Sequence, residues 1–230
     1  MNPNNPKPSI ILMKKSIFAL TVVVATLFAS CGGSSVKTED GQAAAEAGAG
    51  AVAYKLDAAS SSVEWTAKKI TGDQHNGTVA IKSGELKAEA GKLTAGKFAM
   101  DMTAIKVVDI KDAEANGKLA GHLNSDDFFA TAKNPESTFE IVSVEPIAGA
   151  AAGAPNYTVK GNLTIKGIAK AITFPATITM DEKELKANAQ FDIDRTEWDI
   201  KYGSGKFFQD LGDKMINDAF NVKFNIVAKA

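Results

Sequence analysis

Apolar and polar residues alternate with a period of two through most of this chain. Val63, Trp65 and Ala67 alternate with polar residues in the first such segment. The same alternation recurs in later segments, at residues 98–103, 159–165, 172–180, 187–193 and 220–226. Because successive side chains of a β-strand point to opposite faces, each segment has one apolar and one polar face. We therefore predict an all-β domain over residues 54–230, built from antiparallel strands that are wetted on one side.

About eight such strands must bury their apolar faces together, which leaves a two-sheet sandwich or a closed barrel. The alternation alone does not separate these two architectures. A barrel of about eight strands has an interior just wide enough for side chains or for one small ligand. Glycine-containing pairs such as Ala90-Gly91 and Lys166-Gly167 mark turns between strands. Residues 112–124 are predicted to form a short helix, and residues 207–215 a helical turn.

The N-terminal segment has the order of a secretory signal peptide. Met13-Lys14-Lys15 supplies positive charge, and Ile17 to Phe28 is an almost unbroken apolar run. Small residues, Ala29 and Ser30, then precede Cys31. The apolar run is shorter than the roughly 20 residues that a transmembrane helix needs. We therefore predict that residues 1–30 are a signal peptide.

Cys31 directly follows the small residues, which resembles the lipidation site of bacterial lipoproteins, although Phe28 stands where that pattern prefers leucine. The resemblance implies that the thiol is acylated and becomes the mature N-terminus. The alternative is an ordinary signal peptide with an incidental cysteine. Gly, Ser and Ala dominate residues 32–53, which offer little apolar surface to bury. Residues 31–53 are thus predicted to be a lipidated cysteine followed by a flexible tether that folding does not need.

Charge and cysteine content exclude several classes of protein. The chain has 26 basic and 27 acidic residues, so it shows no basic excess of the kind that nucleic-acid binders carry. Cys31 is the single cysteine, so no disulfide can form within the chain. A secreted domain without disulfides must be stable through its own core.

A series of short motifs resembles one family across nearly the whole domain. Ser62-Val63-Glu64-Trp65 and His75-Asn76-Gly77 come first, and Asn134-Pro135 and Phe174-Pro175 lie further on. The longer motifs are GHLNSDDFF at 121–129, YTVKGNLTIKGIAK at 157–170 and FDIDRTEWDIKYGSG at 191–205. In series they resemble the YceI-like family of bacterial periplasmic and secreted proteins. The resemblance implies a lipocalin-like antiparallel β-barrel with one or two short helices, holding a polyisoprenoid or other long lipid in an elongated apolar cavity.

The strand phases place one set of large apolar side chains inside such a barrel. In most proteins these residues are plain core, whereas in a lipocalin-like barrel the same face lines the cavity. The predicted lipid-binding residues are Trp65, Phe98, Met100, Phe139, Leu163, Ile165, Phe191 and Phe224.

Arg195 is the one arginine in a chain that uses lysine everywhere else. A planar guanidinium fork suits a bidentate carboxylate contact or stacking on an aromatic ring such as Trp198. The nearby carboxylates are Asp192, Asp194 and Glu197. Two roles remain open for Arg195, a structural pair or a contact to a ligand headgroup, and the alternative is a composition that simply avoids arginine.

No motif indicates catalysis, a metal site or a cofactor. His75 and His122 are the two histidines, fewer than a zinc site normally needs. Asp126-Asp127 is a candidate acid–base pair, but capping of a helical turn explains it better. The leading hypothesis is a noncatalytic lipid carrier, membrane-anchored in the cell envelope and facing the periplasm or exterior. The alternatives are a structural or stress-related barrel without ligand, and an enzyme acting on a lipid or quinone-like substrate.

Overall fold

A computed structural model describes residues 35–230 of the chain. The predicted signal peptide and the predicted lipidation site at Cys31 lie outside the described residues. Within residues 35–230 no helix has the length and apolar character needed to cross a membrane.

The described chain consists of ten strands, one α-helix and two short 3₁₀ turns. The 3₁₀ turns lie at Arg195–Trp198 and Gly212–Lys214, and the helix α1 at Ala113–Asn124. The strands are β1 Thr38–Asp40, β2 Val52–Leu56, β3 Ser62–Lys68, β4 Gln74–Glu89, β5 Lys92–Val107, β6 Glu136–Pro146, β7 Tyr157–Ile165, β8 Ile168–Met180, β9 Glu184–Asp194 and β10 Ala219–Lys229.

Strands β3 to β10 form a closed barrel of eight antiparallel strands. Each strand pairs with the next along the chain, and β10 pairs back onto β3, with Val222 opposite Trp65. β2 lies between β4 and β10, as β3 does, and continues the barrel wall in line with β3. The predicted all-β barrel of about eight strands is confirmed. Closure removes the free sheet edges that a sandwich would leave.

The connections divide between two ends of the barrel. One end, called here the helix end, carries the β3–β4 and β7–β8 turns, the β5–β6 connection with α1, and the long β9–β10 connection. The opposite end carries the β4–β5, β6–β7 and β8–β9 loops. Two turns fit the glycine pairs read from the sequence. Ala90-Gly91 and Lys166-Gly167 both have positive φ at each residue, as tight hairpin turns with matching twist require.

Helix α1 begins and ends close to the predicted bounds of residues 112–124. The Oδ1 atom of Asp112 accepts a hydrogen bond from the backbone N–H of Ala115 at 2.8 Å, which satisfies a free donor of the first turn. Ser125 ends the helix, and its backbone N–H donates to the carbonyl of His122. The chain beyond this end brings Phe128 into the core.

The expected flexible tether is wrong for residues 35–53. β8 and β9 pair only between Thr177–Met180 and Leu185–Asn188, so the first half of β8 diverges from β9. β1 occupies this gap and pairs antiparallel with β8. On the other side the backbone N–H of Val36 donates to the carbonyl of Asp192 in β9 at 2.7 Å. The segment therefore completes the barrel wall.

The chain between β1 and β2 also follows the barrel surface. The backbone of Gln42 exchanges two hydrogen bonds with the side chain of Asn162, at 2.9 and 2.7 Å. The N–H of Ala45 donates to the carbonyl of Ile141 at 2.8 Å. Few side chains of this segment are large enough to bury much apolar surface. A segment of small residues is nevertheless ordered here, because its backbone supplies hydrogen bonds to strand edges and buried polar groups.

Candidate ligand cavity

The barrel interior contains two adjoining apolar cavities, of about 130 and 100 Å³. The larger cavity lies toward the helix end and the smaller toward the opposite end. Four side chains line both cavities and form what is called here the waist: Val63, Met100, Leu163 and Val222. The elongated interior expected from the family resemblance is thus made of two adjoining cavities that meet at the waist.

The two cavities differ in the elements that close them. Strand residues wall the helix-end cavity, while Phe128 after α1 and Ile200 and Ile216 of the β9–β10 connection cover it. The opposite-end cavity is walled by an aromatic cluster. The ring of Phe174 stacks on Phe191, with centroids 4.2 Å apart. Phe224 and Phe139 lie edgewise or tilted to Phe174, at 5.8 and 5.7 Å.

Glycines in neighbouring strands hold three of the aromatic rings in place. Trp65 lies opposite Gly77, and a Cβ atom at Gly77 would lie 2.7 Å from Cε2 of the indole ring. Phe98 covers Gly84 and Phe139 covers Gly161 in the same way. Real Cβ contacts are never this short, so only glycine lets these rings lie flat against the sheet.

All eight side chains predicted to bind lipid line one or both cavities. Trp65 and Ile165 belong to the helix-end cavity, and Met100 and Leu163 belong to the waist. The remaining four lie around the opposite-end cavity: Phe98, Phe139, Phe191 and Phe224. Their contact with a ligand stays a prediction. The period-two alternation predicts their shared location, because one face of every strand points into a closed barrel.

Several lining residues were missing from that prediction. Met102 shares the phase of Phe98 and Met100, and Phe174 lies on the apolar face of its own strand, so the alternation was sufficient to find both. Phe128 and Ile200 lie in connections rather than strands, where no periodic signal exists.

The indole N–H of Trp65 is a donor without an acceptor in this apolar wall. Among the described residues, its Nε1 is the only buried side-chain nitrogen or oxygen that makes no hydrogen bond. The indole of Trp198, in contrast, donates to the carbonyl of Leu163 at 3.1 Å. An unpaired buried donor is unfavourable by about 1–3 kcal/mol.

Arg195 is buried beside the helix-end cavity, and each of its five N–H groups has an acceptor. Four of the acceptors are backbone carbonyls of the β9–β10 connection. The five acceptors are the carbonyls of Asn217 (3.2 Å), Ile200 (2.9 Å), Tyr202 (2.7 Å) and Ile216 (3.2 Å), and Oδ1 of Asp218 (3.4 Å). Arg195 therefore fixes the fold of the connection that covers the cavity, and no donor is left over for a headgroup.

The carboxylate partner of Arg195 differs from the three expected ones. Asp218 makes the ion pair, whereas Asp194 contributes only through its charge. Burial lowers the pKa of the Arg195 guanidinium, and the charges of Asp218 and Asp194 oppose that shift. Burial raises the pKa of Asp194, but hydrogen bonds from Lys206 and Thr196 outweigh it and hold that pKa below its ordinary value.

Both histidines pair with carboxylates away from the cavity lining. Nδ1 of His75 lies 2.8 Å from Asp109, and Nε2 of His122 lies 3.0 Å from Asp127. The ring of His122 also packs edgewise on Phe128. Residues 35–230 contain no group of three or more side chains that could hold a metal ion.

Comparisons with known proteins agree with this architecture. A sequence model of the YceI-like domain matches residues 54–228. The crystal structure of BcnA from Burkholderia cenocepacia is 23% identical, with a TM-score of 0.59 over 75% of this chain and 99% of that one. A polyisoprenoid binding domain from Saccharophagus degradans, implicated in plant cell wall breakdown, is 17% identical, with a TM-score of 0.57 over 77% of this chain and 98% of that one. Curated protein sequences gave no match. The domain match covers most of the chain, which therefore belongs to the YceI-like family.

Proposed function

We propose that this protein is a noncatalytic carrier of a long, uncharged lipid tail, anchored in the bacterial cell envelope through Cys31. The observation that carries the proposal is the pair of adjoining apolar cavities inside a closed barrel. A tail gains affinity from apolar area removed from water, at roughly 25 cal/mol per Å². The polyisoprenoid binding domain of Saccharophagus degradans has the same fold and supports this ligand class.

The cavity volumes indicate how a tail would be held. An apolar cavity of about 150 Å³ takes up one benzene molecule. Each of the two cavities is slightly smaller, so a tail of several five-carbon units must pass from one cavity into the other. The waist must then open. Met100 is suited to this movement, because its unbranched side chain has three rotatable bonds and adapts to irregular space.

The polar groups near the cavity favour binding over chemistry. Arg195 has no free donor with which to hold a charged headgroup in the helix-end cavity. His75 and His122 pair with carboxylates and do not line either cavity. Binding of an uncharged tail requires neither a free guanidinium donor nor a histidine.

Substitution at the waist tests the proposal. Leu163→Trp fills the space between the cavities, and Leu163→Ala enlarges it. Protein purified from its own membranes is analysed by native mass spectrometry, and the released lipid is identified. We expect bound lipid in the wild type, less in Leu163→Trp, and lipid retained in Leu163→Ala. The melting temperature of Leu163→Trp should hold or rise because a void is filled. In Leu163→Ala the free energy of unfolding should fall by about 2–5 kcal/mol.

The rival hypothesis is a barrel that works without ligand, and the small, divided cavity is the observation in its favour. Absence of lipid from the wild type, together with unfolding of Leu163→Trp, would show that the interior is simply packed. That result would refute the carrier proposal.

A further inference from the structure

Exposed large apolar side chains gather at the helix end of the barrel. Six such residues are exposed among those described, and five of them lie in connections at this end. The five are called here the apolar rim: Ile70, Val108, Tyr202, Phe207 and Phe208. The sixth, Val52, lies at the opposite end, where it pairs with Ala88 beside the β4–β5 turn.

Backbone contacts join the β3–β4 and β9–β10 connections, which carry four of the five rim residues. The N–H of Ile70 donates to the carbonyl of Met215 at 3.1 Å. Ile216 in turn donates to the carbonyl of Gly203 at 2.9 Å, and Phe208 donates to Ser204 at 3.0 Å. Ile216 also lines the helix-end cavity. The β9–β10 connection therefore carries rim residues and also covers the helix-end cavity.

The chain segments around the rim residues are electrically balanced. Residues 68–74, 108–112 and 199–217 hold six lysines and six aspartates. A surface of this kind gains little from anionic headgroups. Its apolar side chains match instead the interfacial region of a bilayer of zwitterionic lipids, in which aromatic residues partition well.

Chain length keeps the helix end within reach of the proposed anchor. The backbone N–H of Val36 donates to the carbonyl of Asp192, which lies two residues before β9 ends at the helix end. The five residues from Cys31 to Val36 span at most about 18 Å. A free tether from Cys31 to Tyr54 would have reached about 80 Å. β1 runs toward the helix end, with Thr38 opposite Ile172 and Asp40 opposite Lys170, so its N-terminal end points away from that end. The short connection limits how far the domain can lie from the membrane, and the apolar rim determines which end docks.

We propose that the protein docks its helix end onto a zwitterionic phospholipid bilayer through the apolar rim, so that the ligand cavity faces the membrane. This proposal rests on the anchored carrier function proposed above. Docking would let a tail pass between bilayer and cavity without crossing water.

The test uses the full lipidated chain in phosphatidylcholine vesicles. Phe208→Cys is labelled with an environment-sensitive fluorophore, since acylation leaves Cys31 without a free thiol. Val52→Cys is the matched control, because Val52 is 49% exposed and Phe208 48% exposed, at opposite ends. We expect the probe at 208 to shift to shorter wavelength and to be quenched by nitroxide-labelled lipid, with the probe at 52 unchanged. High salt should leave the result unaltered, because the segments around the rim residues have no net charge.

A second variant pair measures the contribution of the rim itself. With the probe moved to Ile70→Cys, the double change Phe207→Ser and Phe208→Ser should lower quenching severalfold. Equal water exposure of the probes at 208 and 52 on vesicles that carry the protein would refute docking, even where lipid is still found in the cavity. Loss of the protein from floated vesicles would refute the anchor and docking together.

Discussion

Single residues set both the cavity wall and its cover. Gly77, Gly84 and Gly161 let aromatic rings lie flat against the sheet. The guanidinium of Arg195 holds the connection that covers the helix-end cavity. Arg195 binds four carbonyls from residues 200–217, which otherwise lack regular structure apart from one 3₁₀ turn. Lysine has three donors on a flexible stem and no planar fork, so it does not replace this geometry.

Arg195→Lys should therefore destabilise the protein by about 3 kcal/mol, because buried carbonyls lose their donors. The measurement is the midpoint of urea unfolding at an unchanged denaturant slope. Lys206→Met is the control in the same connection. Lys206 is about half exposed and pairs with Asp194, so its loss should change stability by only about 0–1 kcal/mol. Equal effects of the two changes would mean that Arg195 is an ordinary surface cation.

The sequence predicted these residues unequally. The inward aromatics followed from the strand period, which needs no knowledge of the partner strands. The need for a planar fork at Arg195 followed from its being the single arginine. Its acceptors did not follow, because they are backbone carbonyls whose positions depend on how the β9–β10 connection folds. Asp218 lies 23 residues away and carried no local signal.

At the scale of elements, β1 differs most from what the sequence suggested. Residues 36–41 contain one large apolar residue, Val36, which is half-buried against the core. Their order comes from the gap left where β8 diverges from β9. Composition describes what a segment can bury, whereas this segment is held by an edge that another part of the chain leaves open. The helix at Ala113–Asn124 was predictable, because its cap and bounds are local.

Deletion of residues 36–41 should lower the melting temperature by about 4–8 °C, which corresponds to roughly 2 kcal/mol in a domain of this size. The physical reason is that β8 loses its pairing at Lys170 to Ile172 and Val36 no longer covers the core. Thermal unfolding followed by circular dichroism measures the change.

The control deletion removes residues 148–153, an equally long segment at the tip of the β6–β7 loop whose residues are all exposed. It should shift the melting temperature by no more than about 2 °C, because it removes no buried contact. A drop for residues 36–41 no larger than for this control would restore the interpretation of the segment as a free tether.

At the scale of the whole molecule, the alternation pattern alone does not predict that the sheet closes into a barrel. Period two fits a sandwich and a barrel equally, and the resemblance to the YceI-like family decided between them. The position of the waist was not predictable either, because its four side chains come from strands that are distant in sequence. Only a ligand long enough to pass the waist can fill both cavities.

A series of isoprenoid alcohols of increasing length should raise the melting temperature, and the rise should follow their binding free energy. Each buried methylene contributes about 0.8 kcal/mol, so the rise should grow with every added unit until both cavities are filled, and then level off. In Leu163→Trp the waist is blocked, and the rise should level off at a shorter alcohol that fills one cavity. A rise that does not depend on length would indicate binding at the surface. No rise at any length would mean that the waist stays closed and that the barrel carries no tail.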